Sequence, residues 1–153
     1  MVQVSNSFSI NYNLNRSSAL ALGRFNWVDP SLADGPFAIG RGRGKKILVP
    51  DLVFDLGYCK NTAEAQKKLL AKLKERGQNE RSMTPREFAA FAGVHPELCR
   101  DKLIGILSSV GKNANGDQCV VFFLGVGGDW NLDLRLVRDD WDTYWCFAVV
   151  CEL

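Results

Sequence analysis

Four cations occupy residues 41–46: Arg41, Arg43, Lys45 and Lys46, set among Gly40, Gly42 and Gly44. Glycine-rich backbone leaves amides free beside those charges, an arrangement that cradles a phosphate or follows a nucleic-acid backbone. The segment is not a Walker A loop, since no glycine lies five residues before Gly44 and Lys46 stands where a Ser or Thr must hold magnesium. It is not G-x-G-x-x-G either, and a solvated surface loop accounts for the same composition. The adjoining expectation is a lysine-rich helix over 61–76. Arg41, Arg43, Lys45 and Lys46 are the candidate polyanion-binding residues, and Lys67 and Lys68 strengthen that site only if the loop 40–46 and the helix share a face.

A second constellation is the acidic, aromatic stretch 129–145. Its candidate ligand-binding residues are Asp139, Asp140, Trp141, Asp142 and Tyr144, because carboxylates beside ring faces grip a sugar or a cation, and carboxylates also serve acid/base chemistry. Turn aspartates and core tryptophans are the competing explanation. The spacing Asp139, Asp140, Asp142 lacks the glycine and terminal glutamate of an EF-hand loop.

Nucleophilic chemistry needs a base that orients the nucleophile. The one histidine, His95, directly precedes Pro96, a place for a helix start, and neither G-x-S-x-G nor H-E-x-x-H occurs. Five cysteines with no C-x-x-C pair argue against a zinc site or a disulfide framework. The expectation is therefore no catalytic residue, no metal and no cofactor, and the balance leans away from an enzyme.

The elements that position these residues follow from periodicity. Trp130, Leu132, Leu134 and Leu136 alternate with Asn131, Asp133 and Arg135, as on a strand with one dry face. Residues 119–124 are apolar at both parities, as in a strand covered on both sides, and a second apolar run spans 144–151. The short, turn-rich linkers between them predict a C-terminal three-stranded antiparallel meander over 118–151. Further strands are expected near 2–14, 45–56 and 103–109, the second interrupted at Pro50, which lacks an amide donor. Asn61 with Glu64, and Thr84 with Pro85 and Glu87, are capping signatures that open helices over 61–76 and 85–92. A short helix after Pro96 makes a possible third.

Asn26-Trp27-Val28-Asp29-Pro30, Lys74-Glu75-Arg76-Gly77, Met83 to Phe91, His95-Pro96-Glu97-Leu98 and the run Trp145 to Val150 occur in that order. In this order they resemble a family of small uncharacterised proteins from genomes of uncultured bacteria, over about residues 8–151. The resemblance implies a single α+β domain and carries over no activity and no functional residue.

At 153 residues with 46% apolar and 24% charged side chains, the chain is expected to form one domain over 1–153. No apolar run approaches the roughly 18 residues of a membrane span, and residues 1–5 show no signal-peptide pattern, so a soluble, cytoplasmic, bacterial protein is expected. Charge is uneven: +2 over residues 1–59, +5 over 60–112 and −5 over 113–153. Such a dipole steers partners or favours self-association, leaving nucleic acid, a protein partner or a homo-oligomer open. The expected fold is α+β, with two or three helices packed on one face of an antiparallel sheet. The leading expected function is a binding or accessory protein. Polyanion binding and a carbohydrate-binding or acid/base role for 129–145 are the alternatives.

Overall fold

The computed structural model describes residues 6–153; the first part of the strand expected near 2–14, residues 2–5, lies outside them. Along the chain run β1 (Phe8–Asn11), α1 (Arg16–Ala21), β2 (Trp27–Val28), α2 (Pro30–Ala33), β3 (Lys45–Val53), α3 (Thr62–Arg76) and β4 (Arg81–Ser82). They continue as α4 (Pro85–Val94), α5 (Pro96–Cys99), β5 (Leu103–Lys112), β6 (Gln118–Leu124), β7 (Asn131–Leu136) and β8 (Cys146–Glu152). The fold is α+β, built on one sheet of mostly antiparallel pairs in the order β1-β3-β8-β5-β6-β7-β2, with β4 attached to β8.

Both long helices start where the sequence places them. The Asn61 side chain accepts from the Glu64 amide, and Gly77, in the left-handed region at φ 65°, ends α3. At α4 the Thr84 hydroxyl accepts from the Glu87 amide while the Glu87 carboxylate accepts from the Thr84 amide, a complete capping box with Pro85 at the first turn.

The C-terminal arrangement differs from the expected meander. The β6–β7 hairpin forms, pairing Cys119 with Leu136 through Leu124 with Asn131. The third strand does not lie beside β7. β8 crosses back over the sheet and inserts between β3 and β5, antiparallel to the first and parallel to the second. The cause is Trp141: fully buried, it carries the connection over one face of the sheet, held by a backbone bridge to Cys59 and by indole donation to Thr62 Oγ1 at 3.1 Å. The meander is instead β5-β6-β7, and parallel pairs at β5–β8 and β2–β7 make the sheet mixed.

The helices also do not share one face. Cys146, Ala148 and Val150 of β8 belong to a core with Phe88, Phe91 and Ala92 of α4. The alternate residues Phe147 and Val149 belong to a second core with Leu69 and Leu73 of α3. Alternation along a strand that is apolar at both parities requires a cover on each side, and α3 and α4 supply one each. β3 is continuous through Pro50, which pairs with Val150. Among the described residues the β1–β3 ladder ends at Leu48, short of Pro50, whose missing amide is thus not called on by that ladder.

Candidate functional site: a cleft at a split in the sheet

β8 has β3 along one side and two partners in succession along the other. β5 pairs with it only at Ile104–Cys146 and Gly105–Phe147, and β4 takes over at Ser82–Val149 and Arg81–Val150. Between them β5 peels away. Its register against β6 is broken between Ile106 and Val110, so Leu107, Ser108 and Ser109 have no ladder partner among the described residues. A cleft of about 600 Å³ opens there, walled by α3, β4, the start of α4 and the departing β5.

One wall is aliphatic: Leu69, Leu70, Leu73 and Leu107 line it, and Leu70 is 58% exposed. The opposite wall is polar and centred on Glu87, which is buried yet charged. Burial opposes its ionisation, but Arg81, the Thr84 amide and Tyr12 outweigh it and hold the carboxyl below its usual range. Arg81 donates from both terminal nitrogens at 2.7 and 2.6 Å, and the Tyr12 hydroxyl donates at 2.5 Å. Burial and the Glu87 carboxylate push the Tyr12 hydroxyl well above its ordinary value. Arg81 is thereby fixed at the cleft with half of its side chain in solvent.

The basic loop reaches the same cleft through Arg41. Arg86 anchors its root: the guanidinium donates to the carbonyls of Gly40 at 3.1 Å and Leu14 at 2.6 Å. The first two glycines of the loop exist for close approach. A Cβ on Gly40 would stand 2.4 Å from Thr84 Cβ, and one on Gly42 would stand 2.5 Å from the Tyr12 ring. Both press the loop onto the Tyr12–Glu87–Arg81 unit. Arg41 itself makes no ion pair or hydrogen bond among the described residues.

The remaining sequence candidates separate. Arg43 is exposed on the loop and Lys45 is exposed as the first residue of β3, opposite Asn11, while Lys46 pairs with Glu152 at 2.9 Å. The α3 lysines divide by flank. Lys68 and Lys72 lean toward β3 and its following loop, where Lys68 holds Glu64 and the Tyr58 carbonyl and Lys72 holds Asp55. Lys67 and Lys74 fall beside Leu70 on a 3.6-residue helix, the flank that carries the cleft. The cleft that Arg41 reaches takes Gln66, Leu69, Leu70 and Leu73 from α3, and neither Lys67 nor Lys68 is among its lining residues.

The candidates within 129–145 are taken up by separate contacts among the described residues. Trp141 is core, and the Arg135 guanidinium lies 5.2 Å from the centres of both Trp141 and Trp145. Arg135 also holds the carbonyl of Asp140, whose carboxylate is 3.6 Å away. The Asp139 amide closes a turn onto Leu136, and the Asp142 carboxylate accepts from the Thr143 amide at 2.8 Å. Tyr144 is exposed, stacked at 6.2 Å on Trp145. His95 bridges Glu97 and the Ser7 carbonyl, both at 3.2 Å. All five cysteines are buried, and burial raises Cys99 and Cys146 to about 12. Among the described residues no group of three or more His, Cys, Asp or Glu side chains is placed to hold a metal ion, and no helix is long and apolar enough to cross a membrane.

Sequence reasoning missed Gln66, Leu70, Arg81 and Leu107 as parts of one site. Only Arg41 carried a signal, and the split that gathers the others has no local signature. Comparisons with protein-family models, curated proteins and solved structures found no match.

Proposed function

We propose that the protein is a non-catalytic binding or accessory protein that captures an anionic ligand in the cleft between α3, β4 and β5. The observation that carries this reading is Arg41, a guanidinium without an ion pair or hydrogen bond among the described residues, which lines a cleft of about 600 Å³ together with four leucines, within the range of small-ligand sites. Arg81 has its charge matched by Glu87, so it adds directed donors and little net charge. Arg41 supplies the cation not matched within that pair. An apolar ligand body covers Leu70, and each Å² of apolar area removed from water is worth about 25 cal/mol.

Titration with decanoate and with acetate, followed by amide chemical shifts, tests this. Decanoate is expected to bind at the cleft and acetate far more weakly, with Arg41→Ala reducing decanoate affinity about tenfold, the loss expected for one charge-assisted contact. No binding of either acid, or binding indifferent to Arg41, would overturn the proposal.

A second reading, polyanion binding, is favoured by Arg43 and Lys45, exposed and without ion pairs among the described residues, beside Arg41. Retardation of single-stranded nucleic acid that falls steeply with salt, and is lost in the Arg43→Ala/Lys45→Ala double variant, is the outcome it requires.

A further inference from the structure

We infer that the occupant of the cleft is an extended peptide ending in an aliphatic residue and a free carboxylate. This rests on the anion-binding reading above and specifies its ligand. The first reason is main-chain chemistry. Where β5 leaves β8 no strand among the described residues pairs with it over Leu107–Ser109, and the Leu107 carbonyl accepts instead from the Gln66 side-chain amide at 2.9 Å. A wall of strand backbone with a side chain standing in for a neighbour is matched by another backbone, and an acyl chain has no donors to offer it.

The second reason is the character of the walls. The apolar lining is leucine throughout, with no aromatic ring on which a base or a sugar could stack. The third is charge. Arg41 and Arg81 are set against Glu80 and Glu87 in the same lining. Glu80 has only 3% of its side chain exposed, burial raises its carboxyl, and Arg76, which holds it, is shared with Asp51. A doubly charged phosphate meets those carboxylates as repulsion. A single carboxylate is satisfied by Arg41 and the outward donors of Arg81, and the aliphatic side chain next to it reaches the leucine wall.

The test uses an amino-terminally fluorescein-labelled peptide, Gly-Ser-Thr-Val-Ser-Leu, with a free carboxylate, the same peptide as its amide, and decanoate. Anisotropy is expected to show the acid binding at least about tenfold tighter than the amide, the scale of a lost charge-assisted contact. Arg41→Gln should remove that difference while leaving the thermal midpoint unchanged. The peptide acid should shift the amide resonance of Ser109, beyond the cleft lining, which decanoate should leave in place. Equal binding of acid and amide overturns the inference. So does decanoate binding with no peptide binding, which leaves the anion cleft standing. Silence from all three ligands removes both.

Discussion

At the scale of single residues, Glu87 does two jobs with one carboxylate. It completes the cap of α4 and it fixes Arg81 and Tyr12, partners that lie 6 and 75 positions away in the chain. Because its folded value is depressed, its contribution is present above the unfolded carboxyl value of about 4.3 and is lost as pH falls through the folded value. Glu80 acts in the opposite sense: raised by burial, it favours the fold at low pH and ceases to as pH climbs through its folded value. Urea midpoints measured from pH 6 down to pH 3 should therefore fall in the wild type, and Glu87→Gln should flatten that acid limb while lowering stability at pH 7 by about 1–3 kcal/mol, the scale of lost hydrogen bonds to a charged group. An acid limb as steep in the variant would mean that another carboxylate carries it. The cap was legible, since Thr84, Pro85 and Glu87 are neighbours in sequence. The convergence of Tyr12 and Arg81 was not, because no local pattern records a contact across 75 positions.

At the scale of elements, the connection between β7 and β8 decides the topology. Trp141 under Arg135, bonded to Thr62 and bridged to Cys59, turns what reads as a hairpin loop into a crossing over the sheet. Trp141→Ala should cost about 3–5 kcal/mol by equilibrium denaturation, the range for a large aromatic removed from a core. Tyr144→Ala, three residues on and 65% exposed, should stay within about 0.5 kcal/mol. Similar small losses at both positions would show that Trp141 does not anchor the crossing. Strand and helix identities were readable because parity and caps are local. Which strand lies beside which was not: the apolar run Cys146–Cys151 demands cover on both faces, and that demand is met equally beside β7 or between β3 and β5. The same ambiguity hid the opposite placement of α3 and α4.

At the scale of the molecule, β8 joins three strands and contributes to both cores. A chain stopped after Tyr144 is expected to show no cooperative unfolding transition by circular dichroism, whereas one stopped after Glu152 should retain it. A cooperative transition in the shorter chain would mean that the halves of the sheet stand without their shared strand.

β3 carries this dependence into synthesis. Its Leu48 lies opposite Glu152, so the strand leaves the ribosome long before its neighbour does. At translation speeds of about 5–20 residues per second, the flank of β3 stays open for on the order of ten seconds. For that interval the nascent chain shows an unpaired strand edge to whatever is nearby, until its last segment emerges.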